Sequence, residues 1–207
     1  MVTEPLVTTI DLLRHGHCLW PAGFYGRSDN PLSPTGREQM ESSLSAAGAD
    51  YQRVLTSPLS RCAGFAHPWA QQQGVPSIEL ELLVEGSLGR WEGKTLEQLE
   101  LSDGQALQDF WRDPLAFPPP GAESLDQLQA RMAQVMALIL DQHRGESLLV
   151  VTHSGVIRAA IMDLLGCGPQ AWRTLAVPHG SLSRVRVYHQ QGSADWFQLE
   201  CFGVTGY

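Results

Sequence analysis

Apolar residues along this chain fall into short unbroken runs alternating with stretches spaced three or four apart. Val7–Leu13 (VTTIDLL) is β-branched and apolar and stops at Arg14-His15-Gly16, which predicts a buried strand. Residues 53–56 (RVLT) predict a second strand. The run 148–152 (LLVVT) predicts a third, without polar interruption, as in strands covered on both faces of a parallel sheet. Ser183–Tyr188 and Trp196–Phe202 read as a last pair of strands joined by a turn at Gly192.

The intervening segments are helical. One helix runs from Ser33-Pro34 to Gly48, a Ser cap followed by Pro at the first helical position. Another is predicted to open at Ser57-Pro58, with Pro68 expected to kink or split it. Residues 78–84 are mixed, and 94–112 are weakly helical with a break at Gly104. Ser124-Leu-Asp-Gln127 is a capping box, and the helix behind it puts Leu125, Leu128, Met132, Val135, Met136, Ile139 and Leu140 on one face before Gly145. An apolar helix is predicted over Val156–Leu165. Strand–helix alternation makes this an α/β protein, a three-layer α/β/α sandwich. Residues 1–207 read as a single domain, with about 86–122 as a lid or insertion.

Charge then narrows the partners. Fourteen Lys and Arg against 22 Asp and Glu give a net charge of −8. Nonspecific nucleic-acid binding is disfavoured, since there is no basic surplus to displace counterions. A small phosphorylated substrate needs only a local positive pocket. Cys18, Cys62, Cys167 and Cys201 are scattered, which suits reduced thiols rather than a disulfide framework or a zinc site. No basic segment precedes an apolar run near Met1, and no run is long enough to span a bilayer. The expectation is a cytoplasmic protein without a membrane partner.

Two predicted strands end in a histidine, at Leu13-Arg14-His15-Gly16 and Thr152-His153-Ser154-Gly155. Ligands of open α/β sheets bind beyond the carboxyl ends of strands, so His15 and His153 can converge there. The helix after His153 would aim N–H groups near Ser154 and Gly155 at an anion. Arg14 and Arg61 add planar forks that match phosphate oxygens. Together these groups describe a phosphate cradle. A metallohydrolase built from His15, His17, His153 and His179 is the rival, disfavoured because Arg14 would repel a cation and no third ligand lies nearby in sequence. His17 and His179 read as residues of the pocket mouth, and His67, His143 and His189 as surface residues.

The motifs come in a definite order: Arg-His-Gly after the first strand, Ser57-Pro-Leu-Ser-Arg61 after the second, Glu85 ahead of Gly-x-Trp-Glu-Gly, and Val-Thr-His153-Ser-Gly after a late strand. That order resembles the histidine phosphatase superfamily, the phosphoglycerate mutase-like proteins, over nearly the whole chain. The resemblance implies a six-stranded, mostly parallel sheet and a metal-independent reaction without a cofactor. It implies that His15 becomes phosphorylated while Arg14, Arg61 and His153 hold the phosphoryl group. Glu85 stands at the position of the proton donor, with Glu92 and Glu81 as rivals. Closer likeness to α-ribazole phosphatases of cobalamin biosynthesis rests on Gly23-Phe-Tyr-Gly-Arg-Ser-Asp-Asn-Pro-Leu-Ser, Ser57-Pro-Leu-Ser-Arg-Cys and Phe110–Glu123. Tyr25, Gly26 and Ser154 are the candidate substrate contacts, and a homodimer is compatible with the resemblance. His17, Cys18 and Pro21 depart from the usual Glu, Thr and Asn of the first motif.

For substrate, α-ribazole 5′-phosphate is expected ahead of broad specificity or a sugar phosphate such as fructose 2,6-bisphosphate, and hydrolysis ahead of phosphoglycerate mutase chemistry or non-catalytic phospholigand binding. Trp20, Phe24, Tyr25, Trp91, Phe110, Trp111 and Phe117 are expected along the pocket rim, where flat rings could stack.

Overall fold

The computed structural model of the chain describes residues 5–190 and 192–206. In chain order its strands are β1 (Leu6–Arg14), β2 (Gly23–Phe24), β3 (Arg53–Thr56), β4 (Ser77–Glu79), β5 (Lys94–Thr95), β6 (Ser147–Thr152), β7 (Leu182–His189) and β8 (Trp196–Val204). The helices are α1 (Pro34–Ala47), α2 (Ser60–Gln73), α3 (Leu96–Arg112), α4 (Leu125–Gln142) and α5 (Ser154–Leu164). Six strands form one sheet in the order β4-β3-β6-β1-β7-β8. The first four of these run parallel and β7 and β8 antiparallel, so the sheet is mostly parallel.

Alternation along the strands explains the layers. Ile10, Leu12, Leu148 and Val150 pack with α4 and α5 on one face, while Leu13, Leu149 and Val151 pack with α1 and α2 on the other. Each such side chain, fully buried, contributes about 1.5–3 kcal/mol. A third, separate cluster holds Trp91, Leu99 and Leu107, with Phe24, Leu88 and Phe110 against it. One charge is buried in the sheet: Asp11 accepts two bonds from Arg184 at 2.7 Å and one from the Tyr51 hydroxyl at 2.5 Å.

Some expectations are corrected. Helix α2 begins at Ser60, with Leu59 at the cap position, and not at Ser57-Pro58. The Ser57 hydroxyl instead faces His153 at 2.8 Å, with a longer bond from the Leu59 N–H. Pro68 neither splits nor ends α2. The carbonyl it leaves without a helical donor, that of Gly64, accepts from Arg37 at 2.9 Å. Helix α5 starts two residues earlier than predicted, with His153 itself at the cap position. Helix α3 is kinked at Asp103, beside the expected break at Gly104. His143 and His189 are buried, not surface residues; His189 bridges Thr8 and Asp195. His67, partly exposed, bridges Ser77 and Glu79. No helix among the described residues is long and apolar enough to cross a membrane.

Candidate active site

Strand register puts the motifs side by side. Arg14 of β1 pairs with Thr152 of β6, and Thr56 of β3 pairs with Val151, so the segments beginning at His15, His153 and Ser57 leave one edge of the sheet together. The His15 N–H donates to Thr152 O, and the Ser57 N–H to Val151 O. The rings of His15 and His153 are 5.2 Å apart, edge to face.

Hydrogen bonds fix the tautomers. His15 Nδ1 lies 2.8 Å from the Gly16 carbonyl, which can only accept, so Nδ1 carries the proton and Nε2 keeps its lone pair. Burial, then the cationic Arg61 and Arg14, hold the His15 imidazole well below its ordinary pKa and hence neutral. His153 is the reverse case. Its Nδ1 accepts from Arg61 Nε at 3.2 Å, so its proton sits on Nε2, 2.8 Å from Ser57 Oγ. Burial, then His15, Arg61 and Arg14, also keep this ring neutral. His153 is wholly enclosed and stands behind His15 rather than on the cavity wall.

The two arginines are held differently. Arg61 is buried and, besides bonding His153, donates to the carbonyls of Ser28, Tyr25 and Gly26. Arg14 donates through Nη1 to Val177 O and through Nη2 to His179 Nε2 at 2.9 Å. Arg14 lines the cavity, and its Nε is buried without a partner. Desolvation lowers the Arg14 guanidinium to about 10, and burial beside it lowers His179 to about 4.

Glu85 reaches the site from the segment after β4. Its Oε2 accepts from the Gly155 N–H at the start of α5 (3.1 Å), and its Oε1 from its neighbour Gly86 (2.9 Å). The rival Glu92 is committed elsewhere. Its carboxylate accepts from the amides of Arg27, Ser28 and Leu88 and from the Ser28 hydroxyl. Burial opposes its ionisation, but these bonds outweigh burial and lower its pKa. Neither Glu92 nor the exposed Glu81 lines the cavity.

The cavity itself, about 750 Å³, has Arg14, His15, Arg61 and Glu85 in its lining. The profile of the histidine phosphatase superfamily, branch 1, matches residues 10–199, the stretch that contains every one of these groups.

The chain belongs to the histidine phosphatase superfamily.

It is similar to a 2,3-bisphosphoglycerate-dependent phosphoglycerate mutase of Brucella melitensis, 30% identical over 172 residues, which cover 78% of this chain and 84% of that protein. YhfR of Bacillus stearothermophilus shares the fold with a TM-score of 0.82 at 26% identity, over 95% of this chain and 96% of that one. The alpha-ribazole phosphatase from Shigella flexneri does so with a TM-score of 0.79 at 22% identity, again over 95% and 96%.

For this histidine phosphatase the sequence-predicted site residues fall into two groups, and His153, expected to hold the phosphoryl group, is alone in the one that does not line the cavity. His15, Arg14, Arg61, Glu85, Ser154, Tyr25 and Gly26 line the cavity, as do His17, His179, Cys18 and Pro21. Tyr25 and Gly26 also serve Arg61 through their carbonyls. Of the aromatics, Trp20, Phe24, Tyr25 and Phe110 line the cavity; Trp91 is instead enclosed in the third cluster, and Trp111 and Phe117 lie outside the cavity. Three residues escaped sequence reasoning. Ser57 holds His153, though the sequence pointed to it only as a helix start. Arg158 and Trp172 line the cavity together, the guanidinium 5.5 Å from the ring centre. Arg158 stands four positions after Ser154, so helical spacing alone could have placed both on the cavity side of α5. Among the described residues no group of three His, Cys, Asp or Glu side chains is placed to hold a metal ion.

Proposed function

We propose that this member of the superfamily is a phosphomonoesterase working through a phosphohistidine on His15. The observation that carries the reading is the bare Nε2 of a neutral His15, its other nitrogen tied to Gly16 O, in a cavity that Arg14 and Arg61 also line. Nε2 attacks phosphorus in line while the ester P–O bond breaks. Glu85, protonated, delivers its proton to the leaving alkoxide. Water then attacks the phosphohistidine, Glu85 takes the water's proton, the N–P bond breaks, and neutral His15 returns. Arg14 and the remaining N–H of Arg61 offset charge on the equatorial oxygens. His153 supports the site from behind by accepting from Arg61.

Substrate selection follows from the rest of the lining. Trp20, Phe24, Tyr25, Phe110, Leu115 and Trp172 supply flat and apolar surface, while Arg158 is the one arginine among the described lining residues besides Arg14 and Arg61. Such a lining suits a phosphate ester of a flat, weakly charged alcohol, and α-ribazole 5′-phosphate, with its benzimidazole, is the substrate we favour. A mutase needs a second strong anion site to retain a doubly charged substrate, which one arginine stacked near Trp172 supports less well.

Rapid quench of the wild type should trap acid-labile, base-stable phosphate. His15→Ala should lose at least about a thousandfold in kcat/KM while melting normally. Activity within about tenfold of wild type would end the covalent mechanism. Comparing kcat/KM for α-ribazole 5′-phosphate, fructose 2,6-bisphosphate and 3-phosphoglycerate tests the substrate; a preference of about tenfold for either of the others would overturn the assignment.

A further inference from the structure

The segment that carries Glu85 is gripped by a side chain that never reaches the cavity. Arg131 projects from α4, and its Nη1 donates to the carbonyls of Leu82 (2.5 Å) and Val84 (2.7 Å). Its Nε and Nη2 form a fork onto Glu123, at 2.9 and 2.8 Å. Arg131 and Glu123 are each only 11% exposed, so this pair is sheltered from water. Glu123 Oε2 in turn accepts the N–H of Ser87 at 3.4 Å. The grip therefore falls on both sides of Glu85: two carbonyls before it and one amide after it.

The Glu85 carboxyl itself is bonded by the amides of Gly86 and Gly155. Those amides hold the carboxyl end, the main chain sets where the side chain starts, and Arg131 sets that main-chain course relative to α4. Arg27 adds a longer bond to Glu85 O (3.3 Å) and another to Glu123, but its side chain is 48% exposed. A lysine could not replace Arg131. Facing a carboxylate on one edge and two carbonyls on the other requires a rigid fork rather than one ammonium.

We propose that Arg131, anchored by Glu123, is a positioning residue for Glu85 that fixes the carboxyl for proton transfer without touching substrate. This rests on the reading of Glu85 as proton donor. Misplacing a reacting group by about 1 Å can cost about 10²-fold, so the position is worth a dedicated clamp.

The test uses the full chain with p-nitrophenyl phosphate, whose leaving group needs little protonation, and 2-phenylethyl phosphate, whose alkoxide needs it. Arg131→Lys should lose about 30- to 100-fold in kcat on the alkyl ester and, in the phosphorylation step read by the burst, less than about fivefold on the aryl ester. Because Glu85 also serves the second step, phosphohistidine should accumulate during aryl ester turnover. Arg131→Ala should recover about tenfold or more on addition of ethylguanidinium, which can refill the vacated site. In a Glu85→Gln background, Arg131→Lys should add no further leaving-group selectivity.

Equal losses on both esters, or a selective loss that persists in the Glu85→Gln background, would overturn the proposal while leaving Glu85 as the acid. Should Glu85→Gln itself show no selectivity, the proton-donor reading fails and this inference with it. If Arg131→Lys does not fold, Glu123→Gln keeps the guanidinium and loosens its anchor. It should show the same selectivity at about fivefold, and a flat response there would overturn the proposal.

Discussion

His15 and His153 occupy matching positions at the ends of neighbouring parallel strands, yet their hydrogen bonds leave them with opposite tautomers. His15 protonates Nδ1 because a carbonyl faces it, and His153 protonates Nε2 because an arginine faces its Nδ1. The sequence places both rings correctly but cannot distinguish them, since the deciding partners, Gly16 O and Arg61 Nε, differ in kind and only the fold brings Arg61 to His153. A consequence can be measured at Ser57, whose hydroxyl receives the His153 Nε2 proton. Ser57→Ala leaves that buried donor without an oxygen partner, so denaturant melts should show a loss of about 1–3 kcal/mol. A loss below about 0.5 kcal/mol would mean that the neighbouring Cys62 sulfur, 3.6 Å away, satisfies the ring instead.

Among the elements, α5 shows why the candidate site was only partly legible. Its apolar pattern predicted a helix from Val156, and the strand before it was equally plain. The helix in fact begins at Ser154, because the His153 carbonyl already accepts from Ile157 N. That earlier start points the Gly155 amide at Glu85 rather than leaving it free for an anion. Glycine is required there by proximity: a Cβ at position 155 would lie 2.5 Å from Glu85 Oε1. The flexible tip of Glu85 can move away at little cost to stability, but it then leaves its position. Gly155→Ala should therefore melt near wild type and lose about tenfold or more on alkyl phosphates, with aryl phosphates affected less. Equal kinetics on the two esters, or a collapse in melting temperature, would contradict this account. By contrast, the uninterrupted α2 could not be foreseen, because the Arg37 side chain that serves the Gly64 carbonyl comes from a different helix.

For the whole molecule, the layers were legible because alternating apolar strand residues and helical stripes leave few arrangements that bury both. Hidden from the sequence were the long-range ties: Asp11 to Arg184 and Tyr51, and Arg61 to the 25–28 loop. Burial also leaves a global signature in pH. His15, His153 and His179 are each held below their ordinary pKa in the fold, first by burial and then by nearby cations. Unfolded, each titrates near 6.5. Above that pH both states carry neutral rings and these groups contribute no slope. As pH falls below it, the unfolded chain takes up protons that the folded protein refuses, so stability falls. The slope approaches about 1.4 kcal/mol per pH unit for each ring and, for His179, ends near its folded value of about 4. Glu92 and Glu123, whose pKa values are lowered in the fold by hydrogen bonds and ion pairing against the opposing effect of burial, lose their contribution at lower pH, through the carboxylate range. Between about pH 6.5 and 5 the histidines should thus dominate. Denaturant melts at pH 7.5, 6 and 5 should show the decline, and His179→Asn should make it shallower by about one proton's slope. Stability that stayed level from pH 7.5 to 5 would mean that these rings accept protons in the folded state, and the neutral nucleophile at His15 would lose its physical basis.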